Sequence, residues 1–353
     1  MKTNELDKIV NQIVSEEKNK YNIDFDFINT YVIEYYKDVI LKNIKNGIKL
    51  LKENDTINII ELRNEIKKET GIGITKAFYN QEKNIIVLFK DKHKKDNESD
   101  KLIDILITTY HEIRHVFQEN RLNTPEENFI FDIEFLAMYN NDDILKTYNN
   151  NAYFHKSFFF EIDADIYGAT KTKEYIENND IKLFNKEDFE KKKNSTVHRY
   201  ISYNFDYFLE SALNSVKNKN VVDVHNKDKT DIVNILQLFF NDKRMFKQLD
   251  EIINDKRLLS INVNITKLLL SSNLFLENLD IDNLSDKAKY ILNNVLEEKI
   301  DEFNQKNNLN EDFYKNKKID LKRYNKTNLY LANKLELLNN IYNNLNINKD
   351  KTR

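Results

Sequence analysis

The amino-acid sequence predicts an α+β protein that is predominantly α-helical, with a small β-hairpin or sheet and a helical C-terminal region. Three observations predict this class. Apolar residues recur at helical spacing through the first seventy residues and again from about residue 227 to the C-terminus. Between them, residues 74–89 contain two short runs rich in β-formers. At 353 residues and 40% hydrophobic content, the chain can bury a sizeable core in one or two domains.

The elements of the N-terminal half follow from these patterns in chain order. Helices are predicted over residues 4–18, 25–51 and 59–68, the last ending at Gly71. Strands are predicted over residues 74–79 and 85–89, joined as a hairpin by residues 80–84. The edge strand of such a hairpin is able to pair with an extended peptide. A helix from Leu102 to Gln118 comes next, with Ser99 or Asp100 as its N-cap.

The remaining elements are predicted to be helical. Thr124, Pro125 and Glu127 have the pattern of a capping box, which starts a helix that continues to about Tyr139. A charged stretch at residues 187–193 is typical of a solvated connector, and an aromatic helix is expected over residues 198–214. Further helices are predicted over residues 232–240, 245–253, 265–276, 286–303 and 319–345.

The motif His111-Glu112-Ile113-Arg114-His115 is the strongest chemical signal in the chain. Chance explains it poorly, since six histidines and 58 acidic residues among 353 give on the order of 0.02 matches to a His-acid-x-x-His pattern. Histidines four residues apart lie on the same face of a helix, so both imidazoles are able to bind one ion. Glu112 lies beside that face, where its carboxylate is able to take a proton from water. The pattern predicts a zinc site with His111 and His115 as ligands and Glu112 as catalytic base.

A zinc site of this kind needs a third protein ligand and an open position for water. The segment from Glu161 to Gly168 continues in helical period and places Glu161, Ala164, Asp165 and Gly168 on one face. The small residues at 164 and 168 let a neighbouring helix approach closely. We therefore predict Glu161 as the third ligand and Asp165 as the acceptor of the outward N–H of a ligand histidine. Asp163 is expected to point away from the site.

The residues HEIRH followed by ExxAD resemble the glutamate-liganded zincin metallopeptidases, or gluzincins, over about residues 74–170. Within that group, the compact soluble members of the ImmA/IrrE type are the nearer comparison, but Arg114 and the 45 residues between His115 and Glu161 depart from their pattern. The resemblance implies a zincin-like catalytic core in which His111, His115 and Glu161 bind zinc, Glu112 is the base, and Asp165 supports a ligand. We accordingly expect a zincin-like metallopeptidase domain with N-terminal helices over residues 1–217, and a helical accessory domain over residues 218–353.

Other residues compete for roles near the proposed zinc. We assign His198 as the residue that stabilises the oxyanion of the tetrahedral intermediate, with Tyr200 and Tyr203 as alternatives. His155 is an alternative fourth ligand, which would close the site and make it structural. The alternative to a peptidase is a zinc-binding or metal-free helical interaction protein without catalysis.

Composition limits the partners. The net charge of −3 gives no electrostatic drive toward nucleic acid, and no basic stripe with interleaved aromatic residues is evident. The N-terminal segment has no apolar signal-peptide core, and no stretch approaches the ~18 apolar residues that cross a bilayer. We expect a cytoplasmic protein that acts on a peptide or protein substrate, and the C-terminal helices are a possible surface for a protein partner. The absence of cysteine excludes a disulfide framework.

Overall fold

The computed structural model describes residues 3–32, 34–35, 75–93, 95, 97–139, 141–181, 186–217, 272, 277, 281–282 and 284–350. Its α-helices are α1 (Thr3–Tyr21), α2 (Glu98–Glu119), α3 (Pro125–Tyr139), α4 (Asp142–Asn150), α5 (Ala152–His155), α6 (Phe159–Asn178), α7 (Lys186–Ile201), α8 (Phe205–Lys217), α9 (Asp286–Lys315) and α10 (Leu321–Asp350). Its strands are β1 (Asp26–Thr30), β2 (Ala77–Asn80) and β3 (Ile85–Phe89), and a single 3₁₀ turn follows at Lys90–Lys92. The prediction of a predominantly helical α+β fold with a small sheet is confirmed.

Several predicted elements lie outside the described residues. These are the helices predicted over residues 59–68, 232–240 and 245–253, the C-cap at Gly71 and, apart from Ser272, the helix over residues 265–276. Residues 218–271, which follow the predicted domain boundary at residue 217, also lie outside the described residues. That boundary therefore stays a prediction.

The chain divides into two compact units. The first comprises Met1–Leu122 and Phe160–Lys193, and the second comprises Asn123–Phe159 and Asn194–Arg353. Each unit is therefore assembled from two separate stretches of the chain. The HExxH helix α2 and nearly all of α6 belong to the first unit.

The first unit contains a three-stranded sheet with the order β1-β3-β2. The predicted hairpin is confirmed, since β2 pairs with β3 in antiparallel register, with Phe78 opposite Val87. Strand β3 is central, and its residues from Ile86 to Phe89 are at most 1% exposed. Strand β2 is an edge of this sheet and packs against α2.

Strand β1 corrects the prediction of a helix beginning at Phe25. Residues Asp26 to Thr30 pair in parallel with residues Ile85 to Phe89 of β3. The strand depends on hydrogen bonds to a segment more than fifty residues away in the chain. The spacing of apolar residues within residues 26–30 gives no information about that distant strand. Val32, Glu34 and Tyr35 are helical, so helix follows the strand, while residues 36–51 lie outside the described residues.

Helix α2 forms the core of the first unit and carries the site. The prediction of Ser99 or Asp100 as its N-cap was wrong, because the side chain of Asn97, two or three residues earlier, caps the helix by accepting a hydrogen bond from the backbone N–H of Asp100 at 2.7 Å. Its apolar face packs against α1 and the sheet through buried residues that include Leu102, Leu106, Ile113, Val116 and Phe117. Burial of each such side chain stabilises the folded state by about 1.5–3 kcal/mol. Helix α2 is therefore held firmly in place, and so are the polar residues on its other face.

In the second unit, the capping box at the start of α3 is confirmed. The backbone N–H of Glu127 donates to Thr124 Oγ1 at 3.2 Å, and the backbone N–H of Thr124 donates to Glu127 Oε2 at 2.9 Å.

The prediction of a solvated connector at residues 187–193 was wrong, because these residues are part of helix α7. A break at residues 202–204 separates α7 from α8. A charged, lysine-rich segment can still form a helix when one face of that helix packs against the rest of the protein. Among the described residues, no helix is long and apolar enough to cross a membrane.

Candidate metal centre

Helix α2 brings the two motif histidines together as its periodicity predicts. The Nε2 atoms of His111 and His115 are 3.1 Å apart, and the two rings meet edge to face. Both side chains are partly buried, with exposed fractions of 16% and 17%. The two nitrogens therefore converge on one position at the side of α2.

Helix α6 adds the third predicted ligand. Glu161 Oε2 lies 3.5 Å from His111 Nε2, and Glu161 Oε1 lies 3.7 Å from His115 Nε2. Tetrahedral zinc with ligands at 2.0–2.2 Å requires neighbouring ligand atoms about 3.3–3.5 Å apart. The measured separations of 3.1, 3.5 and 3.7 Å are close to that requirement. Two imidazoles and a buried carboxylate thus fit a divalent metal ion with one position left open.

The close approach of α6 to α2 depends on Gly168. A Cβ atom at this position would lie 2.7 Å from the backbone oxygen of Ile107 and 3.6 Å from the Cβ of His111. No side chain larger than hydrogen fits there without moving a helix backbone. Ala164, one turn earlier, is fully buried. The expectation that small residues allow close helix packing beside the site is confirmed.

Asp165 takes the predicted position behind a ligand histidine. Its Oδ1 lies 2.9 Å from Nδ1 of His111, which leaves Nε2 of that ring facing Glu161. Burial disfavours the imidazolium, but hydrogen bonds to Asp165 and Glu161 and their negative charges raise the pKa of His111 well above its usual value. In the metal-free site, these two carboxylates therefore favour a positive charge at the position where a cation is expected.

Glu112 lies in the same site without joining the ligand group. Its side chain is buried, and burial raises the pKa of its carboxyl above the usual value, against the opposing charges of His111 and His115. The backbone N–H of Tyr79, in the edge strand β2, is near enough to oppose this shift slightly by lowering the pKa of the carboxyl. A buried carboxyl with a raised pKa is suited to accept and return a proton near neutral pH.

Three residues that sequence reasoning left without a role join the two helices beside the ligands. Arg114 forms a bidentate ion pair with Asp163, at 2.8 and 3.0 Å. Gln118 Nε2 donates to Asp163 Oδ2 at 2.7 Å, and Gln118 Oε1 lies 2.8 Å from Nδ1 of His115. Asp163 is not part of the ligand group, and it is bound by Arg114 and Gln118 rather than solvated. The i, i+4 spacing of Arg114 and Gln118 was the signal available in the sequence.

Asp104, nearer the N-terminal end of α2, has a different role. Asp104 accepts hydrogen bonds from Lys76 Nζ at 2.6 Å, and its Oδ2 lies 2.9 Å from His93 Nδ1. Burial opposes the charged form, but the hydrogen bonds to His93 and Lys76 hold the pKa of Asp104 well below its usual value. Asp104 and these partners form an ionic cluster that is not part of the ligand group.

The remaining predicted residues belong to the second unit. His198 has Arg323 and Asp320 as its charged neighbours, and burial lowers its pKa. Tyr203 donates its hydroxyl to Glu134 Oε1 at 2.9 Å, and Lys306 lies over the ring of Tyr200. His155 Nε2 lies 3.1 Å from the hydroxyl of Tyr148. Among the described residues the ligand group is formed by His111, His115 and Glu161, so His155 is not part of it, and the oxyanion role of His198 stays a prediction.

Comparison with known proteins supplies no relative, since no family model, curated protein or solved structure matches the chain.

Proposed function

We propose that the protein is a zinc-dependent metallopeptidase that uses Glu112 as general base. The observation that carries the proposal is the convergence of His111 Nε2, His115 Nε2 and a Glu161 oxygen, within 4.8 Å of one another, beside the buried carboxyl of Glu112. The HExxH and ExxAD segments that supply these groups resemble those of the gluzincins. A three-ligand zinc site with an adjacent general base is the arrangement used in metal-assisted hydrolysis.

Each residue has a distinct task in this proposal. His111, His115 and Glu161 hold the metal, and Asp165 keeps His111 oriented through its Nδ1 atom. Bound zinc would supply Lewis acidity, which polarises the scissile carbonyl and lowers the pKa of water toward about 7. Glu112 accepts a proton from the attacking water and later delivers it to the leaving amine.

The substrate in this proposal is an extended peptide that pairs with strand β2. The strand is an edge of the described sheet, and α2 packs against it. Phe89 donates its backbone N–H to the carbonyl of Lys76, so strand alternation directs the backbone groups of Ala77 and Tyr79 away from β3. The backbone N–H of Tyr79 is near enough to Glu112 to lower the pKa of its carboxyl, so the side of strand β2 that faces away from β3 lies near the proposed base. Backbone pairing there is a general mode of peptide recognition.

The decisive experiment combines metal analysis with peptide hydrolysis. We expect about one zinc per chain after refolding with zinc, and chelator-sensitive cleavage of a diverse peptide library. His115→Ala is expected to release the metal, because it removes one of three protein ligands. Glu174→Gln, an exposed change on α6, is the matched control and is expected to keep both zinc and activity.

Two outcomes would contradict the proposal in different ways. Wild-type protein that stays metal-free after refolding with zinc would remove the metal site itself. Protein that binds zinc through His111, His115 and Glu161 yet cleaves no peptide in the library would favour a zinc-binding interaction protein.

A further inference from the structure

Gln118 makes three hydrogen bonds that together determine how its amide is oriented. It is a buried residue three positions after His115 on α2. Its Nε2 donates to the carbonyl oxygen of Phe160 at 2.8 Å and to Asp163 Oδ2 at 2.7 Å. Both of these partners are acceptors only, so the NH₂ end of the amide must face them. The Oε1 end is thereby directed at Nδ1 of His115, 2.8 Å away.

This orientation determines the tautomer of His115. The amide oxygen of Gln118 only accepts, so Nδ1 of the imidazole must carry the hydrogen. The lone pair of the neutral ring is then on Nε2, the atom that lies 3.7 Å from Glu161. Asp165 likewise holds a hydrogen on Nδ1 of His111. The two ligand histidines are therefore oriented by different chemical groups, one by a carboxylate and the other by an amide.

Asp163 and Arg114 hold Gln118 in place. The Asp163 carboxylate, 12% exposed, lies between the Gln118 amide and the guanidinium of Arg114. The bidentate pairing with Arg114 compensates the charge of Asp163, so this network brings no net charge next to the metal ligands. Arg114 also lies 5.2 Å from the ring centre of Tyr167, one turn further along α6.

We propose that Gln118, held by Asp163 and Arg114, is the positioning residue for His115, which keeps Nε2 of that histidine directed at the metal position before metal binds. Arg114 and Gln118 flank His115 on α2, and Asp163 lies two residues after Glu161 on α6. The network therefore ties together the two helices that carry the ligands through groups that do not bind metal. This inference rests on the proposed metal site, which it describes in more detail.

The test uses Gln118→Met, which preserves the size of the side chain and removes its hydrogen bonds. In metal-free wild-type protein, ¹⁵N spectra of the imidazoles are expected to show His115 protonated on Nδ1. In the variant, His115 is expected to populate both tautomers, while His111 keeps the state set by Asp165. Zinc affinity is expected to fall by about 10–100-fold. Cobalt bound to the variant is expected to give an altered visible absorption spectrum, because the geometry of one ligand has changed.

A matched control and a second variant separate positioning from general stability. Gln12→Leu also removes an amide in the first unit, but at an exposed position, and is expected to leave all three readouts unchanged. Asp163→Asn keeps the shape of the network and weakens its hold on Gln118. It is expected to shift the populations of the two His115 tautomers in the same direction as Gln118→Met, but by a smaller amount. This variant also tests the proposal if Gln118→Met does not fold. Combining the two changes is expected to cost less than the sum of their separate effects.

The imidazole spectra also distinguish failure of this inference from failure of the proposed function. In one outcome, the wild-type protein does not bind zinc, but the tautomer of His115 still changes when Gln118 is replaced. That result supports the positioning role and rejects the metallopeptidase. A folded Gln118→Met protein with wild-type imidazole signals and wild-type zinc affinity would overturn the positioning role and leave the metallopeptidase intact.

Discussion

Gly168→Ala is the sharpest test of how α6 is placed against α2. The added Cβ would meet the carbonyl oxygen of Ile107 at 2.7 Å, and an ordinary van der Waals contact begins at 3.4 Å. Relief of the clash therefore requires a displacement of up to 0.7 Å. The oxygen belongs to the backbone in the middle of α2, so it cannot rotate away as a flexible side chain would. The displacement must come from one helix moving relative to the other.

Two opposing effects determine the magnitude. Overpacking at a rigid contact costs about 1–3 kcal/mol, and the backbone partner here favours the upper half of that range. Replacing glycine by alanine inside a helix returns about 0.8–1.0 kcal/mol of helix propensity. The free energy of unfolding is therefore expected to fall by about 1–2 kcal/mol. Glu161 lies two turns earlier on α6, so a displaced α6 is also expected to weaken zinc binding through a longer distance from Glu161 to His111.

The assay is urea unfolding of the metal-free protein followed by circular dichroism, with zinc titration as a second measurement. Thr170→Ala is the control, since residue 170 is exposed on the same helix and the change gains helix propensity without a new contact. We expect the control to be neutral or slightly stabilising. If Gly168→Ala proves as stable as Thr170→Ala and binds zinc with wild-type affinity, the close contact between α2 and α6 is not as described.

Three further predictions concern Glu112, Asp165 and Asp104. Glu112→Gln is expected to retain one zinc per chain and to lose peptide hydrolysis, which metal analysis and turnover assays measure together; a variant that keeps wild-type turnover would show that another group is the base. Asp165→Asn is expected to lower zinc affinity by about 10–100-fold, an effect between those of Glu161→Ala and Glu174→Gln, because it weakens the support of a ligand without removing one. Asp104 has a lowered pKa in the folded state, so its stabilising contribution is present above its unfolded pKa of about 3.9 and is lost as the pH falls through the folded value. The gap in unfolding free energy between wild type and Asp104→Asn should therefore be full near neutral pH and narrow below about pH 4; a gap that does not depend on pH would contradict this assignment.

Features with a local cause were predictable from the sequence. His111 and His115 share a face because they are four residues apart on one helix, and the same argument separates Glu161 and Asp165 from Asp163. The capping box at Thr124 follows equally from local hydrogen bonding. The small residue at position 168 pointed correctly to a close helix contact, because only a missing side chain allows that spacing.

Features that join distant segments were decided by the tertiary structure. Strand β1 forms because β3, more than fifty residues further along, supplies its hydrogen bonds, and the same residues are compatible with helical spacing when considered alone. Arg114 and Asp163 are 49 residues apart, and Gln118 and Asp163 are 45 apart, so no periodicity connects them. The residues of the candidate ligand group were therefore available from spacing along single helices. The orientation of His115 was not, because it depends on the packing of α6 against α2, which brings Asp163 within hydrogen-bonding distance of Gln118.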